Sequence, residues 1–475
     1  MIGHTTTPPQ PPTSPQRAAA TACNFLHSPT VLHPTFYLRA NLSSSRGDGY
    51  PSRFSPRLRL VLAILPPLPP ASQHHGSLVR ETLLPSQVPL DCCSDIIIVG
   101  AGAAGVTAAA VLGQQGHSVL LLDASPTCPP VFRAEKIERT QLQTLRQFGL
   151  EDHLLPACSR ISEVRAAFDG RIFKTLATEQ LGLPYAEYVN AIRERLPENV
   201  KFHVARVESI HPNPYTPSVR LETGEQIIAR LVIVACGISP ALQSQLGLTR
   251  HVIQKEQCLA LGFDIAPARA HSFPFQAVTY YPTTSADQID YLTLFKTPQA
   301  MRANLFAFRS ISDPWVREFL QQPRLLLERC FPKLPKVIGE YRVTSRVESG
   351  RIDLYCTEGS PQPGVVLIGD ALQNVCPSTG LGLNKVFTDI DVLSECVPAW
   401  FSNSHVDTPQ VASFHHHPRK LVADANAIAS AHHHRRAVTD TSPRWRARRA
   451  LLHAKWRCTP IWNVPSVPAR ALKRA

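Results

Sequence analysis

The stretch DIIIVGAGAAGVTAAAVLGQQGHSVLLLDASP, residues 95–126, decides the fold. Ile96–Val99 is an unbroken apolar run, as a parallel strand buried on both faces requires. Gly100, Gly102 and Gly105 follow in G-x-G-x-x-G spacing, with Ala101, Ala103 and Ala104 between them. Glycine serves three needs there. The chain must turn tightly, the backbone must approach a pyrophosphate, and the helix must pack close to the strand. A helix starting near Ala103 points its N–H groups and positive dipole end at the phosphates. Residues 119–122 form the next strand, and Asp123 closes it where a carboxylate can accept from ribose hydroxyls. Strand, glycines, helix, strand and acid stand in register, which favours a dinucleotide site over a bare structural turn. Asp123 alone does not separate FAD from NAD.

Outward from this unit, the chain of 475 residues has room for about two or three domains and a large core. Its formal charge of +13 suggests nucleic acid or a membrane until it is localised. Residues 1–90 hold seven arginines and two acids, and residues 413–475 hold thirteen basic residues and two acids. Between 91 and 412 this leaves 29 basic against 32 acidic residues, so the body is mildly acidic. The basic ends show no regular pairing of basic with aromatic residues, and nucleic acid is not an expected partner. Twelve cysteines are scattered without a C-x-x-C, which reads as a reduced chain. No apolar run approaches the length of a membrane span.

Residues 1–90 carry fifteen prolines and no lysine and read as a disordered arm. Their Arg- and Ser-rich, acid-poor character resembles organelle transit peptides, although the body reads as cytoplasmic. Residues 91–250 together with 351–400 are expected to form a discontinuous nucleotide-binding domain. Residues 251–350 are expected to form a substrate domain. Within the first domain, residues 162–174 read as a hairpin around Asp169-Gly170 and 185–196 as a helix. Residues 200–210 and 218–228 read as antiparallel strands, and 231–235 as a buried parallel strand ending on Cys236-Gly237. In the second, 258–265, 277–281, 291–295 and 304–308 read as antiparallel strands, and 313–330 as one helix. Residues 342–348 and 351–355 read as a last strand pair. Tyr280, Tyr281 and Tyr291 lie on strands of this sheet, equally suited to touching a substrate or to packing.

Residues 401–475 read as a helical basic tail, with a helix at 418–431 and a frayed end at 442–457. Weak contact of that end with an anionic membrane surface is the alternative. The histidine tracts 415–417 and 432–434 read as solvated. Consecutive residues point in different directions, whereas zinc prefers spaced ligands, so no metal site is expected.

A second motif stands some 250 residues after the first. Residues 365–368 are a buried strand running into Gly369-Asp370-Ala371, and Cys376-Pro377-Ser378-Thr379-Gly380-Leu381-Gly382 leads into a helix. Glycines at 380 and 382 let backbone approach a flat group, and the helix start offers N–H groups to developing negative charge. An acid at the strand tip can hold polyol hydroxyls.

On these residues the chain resembles the FAD-dependent aromatic hydroxylase superfamily, the group A flavoprotein monooxygenases, over roughly residues 94–400. The resemblance implies an α/β fold: a Rossmann-like FAD-binding domain with a parallel sheet, plus an antiparallel-sheet substrate domain. It implies that the Gly100–Gly105 turn, with Ala103, Ala104 and Asp123, holds the ADP part of FAD. Asp370 would hold the ribityl chain. Gly380, Leu381 and Gly382 would lie against the pyrimidine end of the flavin, and Arg133 falls near an arginine that approaches the cofactor. The implied activity is oxygenation of an aromatic or apolar small molecule, using NAD(P)H and O2 through a C4a-hydroperoxyflavin.

The family's middle motif, Asp-Gly-x-x-Ser-x-x-Arg, is here Cys236-Gly237-Ile238-Ser239-Pro240-Ala241-Leu242-Gln243, and Gln373 stands near the usual histidine after Gly-Asp-Ala. This departure bears on reduction by NAD(P)H more than on FAD. It keeps open a geranylgeranyl-reductase-like enzyme or a non-catalytic FAD-binding protein; the absence of W-x-W-x-I-P lowers the halogenase alternative. Cys236 and Cys376 read as structural cysteines rather than nucleophiles, and no catalytic base is assigned.

Overall fold

The computed structural model describes residues 94–459, so the expectations for residues 1–90, for the neighbours Cys92 and Cys93, which as adjacent residues are not expected to bridge each other, and for 460–475 lie outside the described residues. The described residues all belong to the compact unit that begins at Asp91.

The chain opens with β1 (Ile96–Val99), α1 (Ala103–Gln114), β2 (Val119–Asp123), β3 (Ala134–Ile137), α2 (Arg139–Gln147) and α3 (Glu151–Leu154). A long hairpin comes next, β4 (Ser159–Phe168) and β5 (Arg171–Pro184), then α4 (Tyr185–Arg193). After it stand β6 (Val200–Val204), β7 (Val207–His211), β8 (Ser218–Leu221), β9 (Gln226–Ile228), β10 (Leu231–Val234) and α5 (Ala241–Gln245). The middle of the chain supplies β11 (Thr249–Pro267), β12 (Ala277–Tyr281), β13 (Ile289–Lys296), β14 (Met301–Ala307), α6 (Pro314–Gln321), α7 (Pro323–Cys330) and α8 (Pro335–Ile338). It ends with β15 (Tyr341–Val343), β16 (Glu348–Glu358), β17 (Val365–Leu367), α9 (Gly382–Phe401), α10 (Thr408–His415), α11 (Pro418–Thr439) and α12 (Pro443–Cys458).

Five strands make a parallel sheet in the order β17-β10-β1-β2-β6. Ile96 lies between Leu231 and Val119, and all four residues of β1 are buried. That burial on both faces is why the sequence runs Ile-Ile-Ile-Val rather than alternating. The order also fixes the site. β17, from the end of the domain, lies next but one to β1, so both glycine turns leave strand tips at the same carboxyl edge.

A second sheet runs β15-β11-β14-β13-β12-β4-β5-β3, with β16 added on β11. One face packs on α6, α7 and α8 through Phe263, Val278, Tyr280, Phe319 and Phe331. The α/β class with a parallel sheet and a separate, largely antiparallel sheet, in which only β12 and β4 pair in parallel, is therefore the observed one, and a small third sheet is β7-β8-β9.

Several local expectations are corrected. Residues 200–210 are two strands. β6 joins the parallel sheet beside β2 and β7 pairs with β8, the chain crossing over at Ala205 and Arg206. Both strands keep a period of two, so the join carries no break in pattern. Residues 313–330 are two helices, because Pro323 lacks an N–H and Gln322 is forced out of helical conformation (φ −132°, ψ 60°). β15 and β16 both pair with β11 rather than with each other. The end at 442–457 is not frayed: α12 seats Trp456 flat against Phe173 (centroids 5.0 Å) and Tyr281 (4.6 Å). Nor are the histidines all solvated. α11 runs on to Thr439 and buries His434. Among the described residues, no helix is long and apolar enough to cross a membrane and no group of three or more His, Cys, Asp or Glu could hold a metal.

Candidate functional site

The first turn is held by β2, β10 and α4. Gly100 has φ +98°, and a Cβ there would meet the Ala235 carbonyl oxygen at 2.6 Å. A Cβ on Gly105 would lie 1.8 Å from the Gly100 oxygen, so helix and strand touch backbone to backbone. Asp123 accepts from Ala101 N (2.7 Å) and from Ser125 N (2.9 Å). It therefore clamps the turn as well as presenting a carboxylate at the strand tip. Arg193, at the end of α4, braces the same loop. It donates to the Ala101 carbonyl (2.6 Å) and stands 3.4 Å from Asp123. The Tyr185 hydroxyl accepts from Ala103 N at 3.0 Å, at the very start of α1.

The second turn is held from far away. Gly369 N donates to Asp389 on α9 (2.8 Å). Asp389 is buried between Lys385 (2.9 Å) and Lys420 of α11, all three at most 2% exposed. Burial opposes the charge on both Asp389 and Lys385, yet each stays ionised. The lysines hold Asp389 below the usual carboxylate range, and Asp389 with Asp424 raises Lys385. Gly380 has φ +68°, with open space where a Cβ would stand. Gln141, buried on α2, donates to the Gly380 carbonyl (3.2 Å) and to Asn384 (2.6 Å). From the antiparallel sheet, Tyr291 donates its hydroxyl hydrogen to the Ser378 carbonyl (2.7 Å).

These two turns meet. A Cβ on Gly369 would stand 2.9 Å from the Ala104 Cβ, and one on Gly382 would stand 3.9 Å from the Arg133 guanidinium. Arg133 in turn lies over the Tyr185 ring at 4.7 Å. Of the sequence-predicted residues, Gly100, Gly102, Ala103, Ala104, Gly105 and Asp123 thus form one rim. Arg133, Asp370, Gly380, Leu381 and Gly382 face it. Arg133 is half exposed and paired with Glu135 at 2.7 Å. Desolvation works against its charge, but Glu135 and Asp370 raise its pKa above the ordinary value. Burial pushes the Asp370 carboxyl up, against the pull of Arg133 and Lys385. Among the described residues no hydrogen bond reaches the Asp370 carboxylate.

The residues present fit an extended cofactor with a phosphate at one end and a flat polar ring at the other. α1 and α9 both start at this rim with no side-chain cap at the N-cap residue and no acid in the first turn; Tyr185 takes the Ala103 N–H and Thr379 the Leu381 N–H, and the N–H groups that follow, at Ala104 in α1 and Gly382 in α9, are available to anionic oxygens. Gly100 and Gly105 make a cradle that side chains would fill, and Asp370 offers acceptors that no donor among the described residues takes.

Sequence reasoning missed Tyr185, Arg193, Gln141, Lys385, Asp389 and Lys420. Tyr280 belongs to the core rather than to the site. It packs edge-on against Phe331 and accepts from Gly170 N (2.8 Å) on the helix-covered face. In the altered middle motif, Gln243 donates to the Ala371 carbonyl (2.8 Å), tying α5 to the Gly-Asp-Ala turn. Two surface basins, one beside Arg165, Arg171 and Lys336 and the other beside Leu325 and Arg342, contain none of the predicted site residues.

Comparison with known proteins agrees with this geometry. The family described as FAD binding domain matches residues 93–397, well over half of the chain. Kynurenine 3-monooxygenase of Salinispora arenicola is 25% identical over 370 residues, 70% of this chain and 77% of its own length. Squalene epoxidase 3 of Arabidopsis thaliana is 24% identical over 389 residues, 75% and 70% respectively. The crystal structure of p-nitrophenol 4-monooxygenase PnpA from Pseudomonas putida DLL-E4 shares the fold, with a TM-score of 0.63 at 19% identity, covering 77% of this chain and 95% of that one.

Proposed function

The chain belongs to the FAD-binding group A aromatic hydroxylase family, and from that premise we propose that its two glycine turns hold opposite ends of one FAD beside an aromatic or apolar small-molecule substrate. It is an FAD-dependent monooxygenase, and NAD(P)H is the usual reductant of these enzymes. FAD, when bound, supplies the electron transfer and oxygen chemistry that side chains cannot. The chain supplies binding, orientation and charge.

The observation that carries this reading is the convergence of residues far apart in the chain: Gly369 on Ala104, and Gly382 beside Arg133. The first-turn N–H groups of α1 beyond Ala103 would take the pyrophosphate, and Asp123 the adenosine ribose. Asp370 would hold the ribityl hydroxyls, with Arg133 beside it as a positive group that opposes the upward push of burial on its carboxyl. Backbone from Gly380 through Leu381 to Gly382, at the uncapped start of α9, would face the pyrimidine edge, where negative charge builds on reduction. Tyr281 and Tyr291 lie on the sheet beside the second turn and would border the substrate.

The test is direct. Protein reconstituted with FAD should show flavin absorbance and oxidise NAD(P)H faster when a phenol is added. If neither NAD(P)H oxidation nor oxygen uptake appears across a panel of phenols and apolar aromatics, the hydroxylase reading falls. One observation favours a second reading for the reductant. Gln243 stands where the family has an arginine, and its amide is committed to Ala371. A reductase of the geranylgeranyl type, fed by another donor, would reduce an alkene without consuming oxygen. We take the enzyme to be cytoplasmic, which cell fractionation with a tagged chain would check.

A further inference from the structure

The last helix carries charge that neither the fold nor the cofactor site uses. α12 is docked through one half of its circumference. Trp445 is buried, Trp456 lies flat on Phe173 and Tyr281, and His453 packs on Phe168 with ring centroids 4.6 Å apart. At about 100° per residue these side chains share one half of the helix, and the other half faces water. Along the middle of that outer half run Ala447, Ala450, Leu451, Ala454 and Cys458, all exposed. Leu451, at 72%, is the most exposed large hydrophobic side chain among the described residues. Exposed cations edge this stripe on both sides, Arg444 and Lys455 along one and Arg446 and Arg457 along the other.

The charge is local. From Ser442 to Ala475 the sequence has nine Lys or Arg and no acid, whereas residues 91–412 hold 29 basic against 32 acidic residues. Among the described residues no acid pairs with Arg444, Arg446 or Lys455, and Arg457 shares Asp169 with Lys333. Asp440, the last acid in the sequence, is taken by Arg436 at 3.1 Å.

We propose that the outer face of α12 is a docking surface for an anionic lipid bilayer. A leucine standing alone on a surface needs no explanation. An apolar stripe edged on both sides by long cations is the pattern of a helix lying in the plane of a membrane interface. Its apolar side chains enter the acyl boundary while the Arg and Lys stems reach sideways to headgroup phosphates. Nucleic acid offers the same negative charge, but bases stack on exposed aromatic rings, and Trp445 and Trp456 both turn inward. A second copy meeting this face through a two-fold axis would set these cations against their own kind. The stripe is narrow, its bulk one leucine, so the attraction is mainly electrostatic and reversible. Two tryptophans fix the helix on the unit, so the bilayer meets a rigid surface rather than a loose tail. The docking does not rest on the flavin reading.

The experiment sediments the full FAD-reconstituted chain with vesicles of phosphatidylcholine alone and of phosphatidylcholine mixed with phosphatidylserine. The expected result is binding to the mixed vesicles only, released by added salt. Arg444→Gln, Arg446→Gln and Lys455→Gln combined should weaken that binding on the order of a hundredfold, at about fivefold per cation. Leu451→Asp should weaken it as well, because a carboxylate cannot enter the acyl boundary. Both variants should keep the wild-type flavin absorbance and melting temperature, since the altered side chains face water. Binding that survives the combined variant unchanged would lie elsewhere, as in the seven arginines of residues 1–90, and would overturn α12 as the docking surface. Binding lost in the combined variant but unchanged in Leu451→Asp would make the face a general polyanion surface and overturn the bilayer. A dimer in solution that Leu451→Asp dissociates would assign the face to a second copy and overturn it too.

Discussion

The two glycine turns do similar work with supports of different number. The Gly100 turn leans on few elements: its own backbone contacts with β10, Asp123 at the end of the next strand, and Tyr185 and Arg193 at the two ends of α4. The Gly369–Gly382 segment takes Asp389 from α9, the helix that follows it, and further support from three more elements: Gln141 on α2, Tyr291 on β13 and, through Asp389, Lys420 on α11. A turn braced by two strands and one helix depends on few other parts of the chain. A site assembled from remote elements couples its geometry to the packing of the whole unit, including the C-terminal helices.

The largest expected effect breaks the remote support. Asp389→Ala leaves Lys385 and Lys420 buried without their shared partner, at a cost of about 3–5 kcal/mol. Thermal unfolding should show it, and FAD should be lost with the fold. Next comes the local turn. Gly105→Ala places a methyl on the Gly100 oxygen, which neither backbone can yield, and should cost up to ~3 kcal/mol and abolish FAD binding. Denaturant titration and flavin absorbance check both parts. A smaller effect is expected from Gln141→Ala, which strips hydrogen bonds from the Gly380 carbonyl and Asn384 for about 1–3 kcal/mol. If the comparison holds, this variant keeps its affinity for ADP, held by the first turn, and loses affinity for FAD. Isothermal titration with the two ligands separates these outcomes.

The smallest effect is a pH dependence. Burial works to lower the His434 pKa, but its bond to Asp290 raises it above the free value of 6.5. The pair's stabilisation is therefore fully present below pH 6.5 and fades as pH rises through the higher folded value. The difference in melting temperature between wild type and His434→Gln should be greatest on the acid side and shrink with rising pH. A difference that grows with pH would contradict the pairing.

The same contrast explains what the sequence could tell. β1, the glycines, α1 and Asp123 were legible because their signals are local: an apolar run, turn residues and an acid in fixed spacing. Gly369-Asp370 and Gly380-Leu381-Gly382 were legible as motifs, but not their supports. Nothing in the amphipathic spacing around Gln141 marks its amide as the partner of a carbonyl 239 positions on. Nor does a lysine in a helix after the domain announce that it is buried against Asp389. The histidine tract misled for a related reason: three consecutive histidines look solvated, and only the docking of α11 on β13 buries His434 among them. Trp456 likewise sits in a run of arginines, and its seat between Phe173 and Tyr281 exists only once β5, β12 and α12 are brought together.

The central claim is that the two turns hold one FAD between them. The most direct measurement is a crystal structure of the FAD-reconstituted protein. The account predicts pyrophosphate oxygens on the N–H groups at the start of α1, ribityl hydroxyls on Asp370, and the pyrimidine edge of the ring against the backbone of residues 380–382. A flavin whose ring lies away from residues 380–382, or whose phosphates avoid the start of α1, would contradict it.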